Sequence, residues 1–426
     1  MCSTWAAWPS WARRPSSWQT SGSSASTSAR AGRNPGRRCR EDRTMSESRG
    51  ALDGLRVLDL ATLAAGPWVA TFLAEFGADV IKVEQPGGGD GMRRFGPQKD
   101  GVGLMWRSTS RNKRCVTLNF RVPEGQDLLR RLAARADVVI ENFRPGTLAG
   151  WGIGYEHLRA VNRGLVMLHV TGFGQTGPYA PRPGFGTLAE AMSGFAHVTG
   201  PPDAPPTLPP LALADGIAAA FGTYAVMIAL YHRDRHGGEG QEIDLALYDG
   251  LMRFMEPMLL EYDQLGTVRG RTGNRIADSA PRNTYRTADG HWVALSGSAQ
   301  SIAERILEAV ERPELIHDPR FADNAARVRH MDELDEVIGG WIGRHALAEV
   351  VRRFEECEAA LGPVYDASQI FADPHFRARE SLVAVPDPVL GALTLCNVVP
   401  RLSATPGAIA WLGPALGVHN EEIYCG

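Results

Sequence analysis

The chain has 426 residues, of which 44% are hydrophobic, and a net charge of −3, so it is long enough for a large core and two domains. Its apolar runs stay short of the roughly 18–20 residues of a membrane span, so no membrane association is predicted. Six scattered cysteines without Cys-x-x-Cys pairs argue against a disulfide framework and a structural zinc site, and favour a reducing cytoplasmic location.

Residues 1–44 differ in composition from the rest of the chain. They carry eight Arg against Glu41 and Asp42, and they contain no Leu, Ile, Val or Phe. Such a segment has no apolar face to bury, so we predict a disordered extension before Met45. The Arg- and Ser-rich composition also has some character of a transit peptide, which stays an alternative.

Residues 46–250 alternate short apolar strands with helices. Pro123 and Glu124 open one of these helices with the usual start chemistry. The alternation predicts an α/β fold with a Rossmann-like parallel sheet that is covered on both faces. The predicted strands are 55–60, 78–84, 115–120, 137–143 and 165–170.

Glycine and proline crowd residues 171–210, which predicts long functional loops around a short helix near 187–195. A long helix is predicted to begin near Gly216, because apolar residues recur after it at spacings of three and four. A strand and a further helix to about Leu265 follow.

The C-terminal part predicts a smaller α+β domain over 270–360. It contains a hairpin over 283–296 with Asp289-Gly290 as its turn, followed by two helical patterns. Residues 363–426 are rich in proline and short strands, and we predict that this segment returns to pack on the large domain.

Three local patterns allow competing interpretations. Glu84 follows the first β-α-β turn as a ribose-binding acid would, but the glycine fingerprint of dinucleotide sites is missing. His232 and His236 share a helix face, as metal ligands would, but a polar helix end before two glycines is the simpler interpretation. Eight Lys or Arg within 93–121 favour a local site for a small anion over nucleic acid, with a solvated face as the alternative.

Asp215 is the one carboxylate in the apolar run LALADGIAAAFG, residues 211–222. The simple interpretation is a helix cap, since Asp accepts hydrogen bonds from free amides at a helix start. Only the rest of the sequence indicates a chemical role.

From about Leu52 to Glu421 the chain resembles the class III CoA-transferases, a group that includes formyl-CoA and carnitine CoA-transferases and the related α-methylacyl-CoA racemases. The resemblance implies a ring-shaped subunit in an interlocked homodimer. The motifs that carry it are GLRVLDL, AGP, FGADVIKVE, NKR, DVVIENFRPG, TGFGQTGPY, AMSGFAHVTG, ALAD, GEGQEIDLALYDG, YRTADG, ADPHFRARE and RLSATPG.

The resemblance makes Asp215 the nucleophile that exchanges CoA between an acyl-CoA and a carboxylic acid through covalent aspartyl intermediates. It implies no tightly bound cofactor, with coenzyme A as substrate and product. Where the family has basic residues this chain has Gln85, Gly150 and Pro183, so Arg111, Arg144 or Arg182 are candidates for the CoA phosphates. The CoA contacts it implies are Ala64, Ala65, Gln85, Leu118, Asn119, Arg121, Asn142, Phe143, Arg144, Arg182 and Phe185.

Two other functions remain open at this point. A racemase or acyl-CoA isomerase would use Asp215 as a base, although Phe185 stands where the related racemases carry a His that exchanges protons. A non-catalytic acyl-CoA-binding protein would use Asp215 only as a helix cap.

Overall fold

The computed structural model describes residues 50–425, so the predicted extension over 1–44 lies outside the described part of the chain. The strands are β1 Arg56–Asp59, β2 Asp79–Glu84, β3 Gln98–Lys99, β4 Val102–Gly103, β5 Lys113–Thr117, β6 Val138–Glu141, β7 Val166–Thr171, β8 Glu242–Ala246, β9 Arg282–Arg286, β10 Trp292–Ser296, β11 Leu361–Pro363, β12 Leu382–Asp387 and β13 Gly391–Cys396.

Helices connect these strands and cover the sheet. They are α1 Ala65–Glu75, α2 Leu104–Thr109, α3 Pro123–Ala133, α4 Thr147–Gly150, α5 Tyr155–Arg159, α6 Gly186–Met192, α7 Phe195–Val198, α8 Leu213–Arg235, α9 Leu247–Phe254, α10 Glu256–Leu265, α11 Gln300–Ala309, α12 Asn324–Arg329, α13 Met331–Ile342, α14 Leu347–Glu356, α15 Ala367–Ala372, α16 Pro374–Ala378 and α17 Asn420–Cys425. Two 3₁₀ turns, Gly91–Arg94 and Pro313–His317, complete the set.

Six strands form a central sheet in the order β5-β2-β1-β6-β7-β8, with every pair parallel. The strand order therefore reverses between β1 and β6, as in doubly wound folds. The predicted α/β class with a Rossmann-like parallel sheet is confirmed. In such sheets ligands bind beyond the carboxyl ends of the strands, near the point of reversal.

Apolar side chains fill both faces of this sheet. Val57, Val138 and Leu168 point to the layer of α1 and α8, whereas Leu58 and Val139 point to the layer of α3. This follows from the alternation of side chains along a strand, which sends neighbours to opposite faces. Burial on both faces explains why the strands contain near-continuous apolar runs.

A separate apolar cluster lies within the C-terminal half. It joins the β11-β10-β9 sheet to helices α11, α13 and α14, with Val293, Ile338 and Phe354 at its centre. The hairpin turns at Gly290, whose φ of +88° suits glycine. The proposed boundaries 46–250, 270–360 and 363–426 stay predictions.

Helix α8 begins at Leu213, three residues before the predicted start. By length and composition it is apolar enough to cross a membrane, so the expectation that no segment reaches that length does not hold here. Core helices meet the same criteria. Ala218, Ala219 and Val226 of α8 are fully buried in the cluster that packs on the sheet.

Candidate active site

A cavity of about 110 Å³ lies at the carboxyl edge of the sheet. Four side chains from the predicted CoA contacts line it: Gln85, Leu118, Arg121 and Phe143. They follow β2, β5 and β6, three strands that lie on both sides of the reversal point. The structure thus brings these four together where the topology favours ligand binding.

The other predicted contacts lie around this edge but outside the cavity lining. Ala64 and Ala65 begin α1. Asn142 exchanges hydrogen bonds with Thr62, accepting from its N–H at 2.8 Å and donating to its carbonyl at 2.7 Å. Asn119 accepts from the N–H of Arg121 at 3.0 Å.

A buried ion pair forms the floor of the cavity, because Lys82 and Asp90 line it and Lys82 Nζ lies 2.9 Å from Asp90 Oδ2. Behind this floor Lys82 also contacts Asp59, and Lys113 Nζ lies 2.9 Å from Asp59 Oδ2. Burial lowers the pKa of Lys82, but Asp59, Asp90 and Glu84 outweigh burial and raise it. Sequence reasoning missed this floor, because charged residues inside apolar strands carry no pattern of their own.

The predicted anion site over 93–121 is wrong for most of its basic residues, because they are already paired. Glu84, the candidate ribose acid, receives two hydrogen bonds from Arg93 at 2.6 and 2.7 Å, so it holds a cavity wall instead. Arg111 is unsuited to a CoA phosphate, since it is buried against Glu75. The remaining pairs are Arg107 with Asp387, Lys113 with Asp59, and Arg114 with Asp79 and Glu422.

Asp215 is the third residue of α8, and its side chain does not cap the helix. Glu190 of α6 does so instead, because its Oε1 accepts hydrogen bonds from the N–H groups of Leu213 at 3.1 Å and Ala214 at 3.2 Å. The capping interpretation of Asp215 is therefore wrong. The sequence shows no local signal for this cap, since Glu190 precedes the helix start by more than twenty residues.

The carboxylate of Asp215 is half-buried and, within residues 50–425, forms no ion pair. Burial and then the charge of Glu190 raise its pKa from 3.8 to about 6, against a small opposing effect of its own backbone N–H. Gly186 lies against it: a Cβ at that position would overlap Asp215 Oδ2. Trp68 of α1 lies 3.9 Å from the Cβ position of Gly216, so α1 and α8 meet beside Asp215.

Helix α8 follows β7 and leads into β8, so its N-terminus lies at the carboxyl edge of the sheet. This is the general geometry of a crossover helix, which runs antiparallel to its strands. Asp215 and the cavity therefore share one edge of the sheet. Asp215 itself does not line the cavity.

The loop over 172–186 ends at Gly186, the residue that contacts Asp215. Gly172 and Gly184 touch so closely that a Cβ on Gly172 would lie 2.5 Å from the Cα of Gly184. Asp244 accepts from the N–H of Gln175 at 2.9 and 3.0 Å and anchors the loop to β8. The guanidinium of Arg182 stacks on the ring of Tyr179 at 3.9 Å.

A second cavity, of about 100 Å³, includes Arg144, His169 and Glu141. Glu141 hydrogen-bonds to His169 Nδ1 and also accepts from the N–H of Phe143 at 2.7 Å. Burial lowers the pKa of His169, but the hydrogen bond and charge of Glu141 outweigh it and raise the pKa. Glu141 therefore fixes the strand end that carries Asn142, Phe143 and Arg144.

The predicted polar helix end at His232 and His236 has the two rings stacked with centroids 4.9 Å apart. His236 Nδ1 lies 3.2 Å from the carbonyl oxygen of His232. Over the described residues, no group of three His, Cys, Asp or Glu side chains is arranged to hold a metal ion.

Comparisons with known proteins agree with this architecture. The sequence profile of CoA-transferase family III matches residues 52–420. The succinyl-CoA–D-citramalate CoA-transferase of Chloroflexus aurantiacus is 47% identical over 88% of this chain and 93% of its own. The succinate–glutarate CoA-transferase of Agrobacterium fabrum is 35% identical over 87% of this chain and 94% of its own.

A solved structure shows the same fold. The CAIB/BAIF family protein from Brucella suis aligns with a TM-score of 0.77 and 34% identity, over 88% of this chain and 99% of its own. A family match over most of the chain together with relatives above 30% identity decides the assignment. The chain belongs to CoA-transferase family III and is an enzyme that acts as a CoA-transferase.

Proposed function

We propose that Asp215 carries the transfer as a covalent nucleophile. Its carboxylate oxygen attacks the acyl-CoA carbonyl carbon, and the C–S bond breaks. CoA departs as a thiolate, and Asp215 becomes an aspartyl–acyl anhydride. The thiolate then attacks the carbonyl carbon of Asp215, which releases the acyl group as a carboxylate and leaves an aspartyl-CoA thioester. An acceptor carboxylate reverses both steps, forms the new acyl-CoA and restores Asp215.

The observation that carries this proposal is a half-buried carboxylate that neither caps its helix nor forms an ion pair in the described part of the chain. A buried charge without a partner is costly, so such a group is a candidate for function. Ion-paired carboxylates such as Asp59 lack a free oxygen for attack. Asp215 keeps one, and its raised pKa indicates a more basic, more nucleophilic oxygen.

The relatives favour dicarboxylic acids as the substrate class. The Chloroflexus protein is named for succinyl-CoA and D-citramalate, and the Agrobacterium protein for succinate and glutarate. We therefore propose succinyl-CoA or a similar dicarboxylic thioester as donor, and a dicarboxylic acid of four or five carbons as acceptor. We also propose a cytoplasmic location, because the six cysteines are scattered and form no Cys-x-x-Cys pairs.

We further propose an interlocked homodimer of ring-shaped subunits. Helices α8 and α10 leave large apolar side chains in water, and α10 has none that is buried. Leu260 and Leu265 are 59% and 74% exposed. Extended apolar surfaces of this kind usually contact a partner. Sedimentation at micromolar concentration is expected to give twice the subunit mass, and a monomer would contradict the proposal.

A trapping experiment tests the chemistry. The protein is incubated with succinyl-CoA, treated with hydroxylamine, digested and mapped by mass spectrometry. We expect a hydroxamate on Asp215, and none in Asp215→Asn treated in parallel.

An unmodified Asp215 peptide would contradict the covalent mechanism. If deuterium also entered the acyl α-carbon without an acceptor acid, Asp215 would be acting as a base, as in a racemase.

A further inference from the structure

Glu190 occupies the amides that a helix start normally offers to an anion. It is 3% exposed, and one oxygen, Oε1, accepts from both Leu213 and Ala214. The first free amides of a helix attract negative charge and stabilise it. Because Glu190 occupies the N–H groups of Leu213 and Ala214, these two amides do not hold the carboxylate of Asp215.

The short helix α6 brings two features to Asp215. Gly186 and Glu190 are four residues apart, so they lie on the same face of that helix. Gly186 lets the backbone of α6 touch Asp215 Oδ2, while Glu190 brings a second negative charge to the same place. Two carboxylates thus share a partly desolvated site.

We infer that Glu190 is a positioning residue of the transfer reaction, which holds the first turn of α8 and favours the acylated form of Asp215 over the free carboxylate. This inference rests on the proposed function of Asp215. It adds a reason for the covalent intermediate to accumulate at this position.

Charge balance gives the physical reason. Free Asp215 carries one negative charge beside Glu190, whereas the aspartyl-CoA thioester is neutral at that carbonyl. The charge leaves the site on the released carboxylate. Acylation therefore removes the repulsion between Glu190 and Asp215, and like charges at close range in a low-dielectric site repel strongly.

Other charged groups near Asp215 do not explain the effect. Glu190 is the one charged side chain that acts on Asp215 among the described residues. Helix α1 presents Trp68 there, and on α9 the carboxylate of Asp249 accepts from the N–H of Ala246 at 2.9 Å.

The test compares wild type with Glu190→Gln, which keeps an oxygen for both amides but removes the charge. Each protein is equilibrated with succinyl-CoA and succinate, and the fraction of Asp215 in the CoA adduct is measured by intact-protein mass spectrometry. We expect that fraction relative to free enzyme to fall about threefold or more. We also expect the acid limb of kcat/KM to move to lower pH by about half a pH unit, which corresponds to the same factor.

Two controls complete the design. Asp203→Asn removes an exposed charge from the loop before α8 and should leave both values unchanged. Glu190→Asp keeps the charge, so its pH midpoint should stay closer to that of wild type than the midpoint of Glu190→Gln does. If Glu190→Gln fails to fold, Glu190→Asn, which also removes the charge and keeps an amide oxygen as acceptor, carries the same expectation.

Equal adduct fractions and equal pH midpoints in wild type and in a folded charge-free variant would overturn this inference while leaving the nucleophile intact. An absence of adduct on Asp215 in wild type would instead overturn the proposed function, and this inference with it.

Discussion

Two groups of buried carboxylates lie along the same edge of the sheet, and they differ in their partners. Asp59 and Asp90 face the buried ammonium groups of Lys82 and Lys113. Asp215 faces Glu190 and no cation within the described chain. In the first group opposite charges offset the cost of burial, whereas in the second that cost remains.

The paired carboxylates have a structural role, whereas the unpaired carboxylate is suited to chemistry. A paired charge is already stabilised, so it supports a wall and contributes little to a reaction. An unpaired one is poised to change its charge state by binding a proton or an acyl group.

Asp215→Asn is expected to lower kcat for CoA transfer by at least about 10⁴-fold, because the amide is not a nucleophile. Steady-state assays with succinyl-CoA and a panel of dicarboxylic acids measure this loss. Asp203→Asn serves as the matched control, because it makes the same substitution in the loop before α8. Residual activity above about one-tenth would exclude Asp215 as the nucleophile.

Lys82→Met is expected to lower the free energy of unfolding by about 3–5 kcal/mol, because it leaves the buried carboxylate of Asp90 without its cation. Urea titration at neutral pH measures the change. Lys99→Met, at an exposed lysine, should shift stability by less than about 0.5 kcal/mol. Equal effects of the two substitutions would contradict the described pairing.

The same Asp215→Asn variant should be more stable than wild type above about pH 7, by about 1–2 kcal/mol after allowance for partial solvent contact. The pKa of Asp215 is about 6 in the folded protein and 3.8 is its ordinary value, so the native state binds the proton more tightly. Wild type therefore gains stability as pH falls from 6 to 4.

The gap between the two proteins should close below about pH 4, where Asp215 is protonated in both folded and unfolded states. Thermal unfolding at a series of pH values measures it. A variant less stable than wild type at pH 8 would mean that Asp215 has a stabilising partner, which would contradict its description as unpaired.

Asn142→Ala is expected to raise KM for acyl-CoA by about three- to tenfold with little change in kcat, because its two hydrogen bonds to Thr62 hold the wall that includes Phe143. Asn162→Ala is the matched control. Asn162 also donates twice to the backbone, to Ala133 at 2.9 Å and Ala136 at 2.7 Å, but near the amino ends of the strands. Equal KM values for the two variants would show that this wall does not contribute to CoA binding.

The sequence predicts much of the fold because its patterns are local. Apolar runs of strand length placed β1, β2, β6 and β7 within about two residues of where the structure has them, and Pro123 marked the start of α3. The hairpin at Gly290 follows equally from its Asp-Gly turn. β5 is predicted less accurately, because its first residue is the charged Lys113, which does not fit the apolar pattern of a strand. In the structure Lys113 pairs with Asp59.

The candidate site is harder to predict because its contacts are distant in sequence. The resemblance to the family singled out Asp215, but Glu190 reaches its helix from 23 residues away. The sequence predicts that Arg111 is available for a phosphate, but in the structure it donates to Glu75, 36 positions earlier. Whether a charge is free or paired depends on tertiary contacts, which composition and spacing do not report.

His419 and Asn420 cover the outer strand β5 of the central sheet. His419 Nδ1 accepts from the N–H of Cys115, 304 positions earlier, and Asn420 accepts from the N–H of Thr117 at 2.8 Å. During synthesis the edge of β5 thus stays uncovered until residues 419 and 420, some 300 positions later, have left the ribosome. Closing contacts at such separation is slow, and bare strand edges promote aggregation. The yield of folded enzyme should therefore depend on chaperones more than its final stability would indicate.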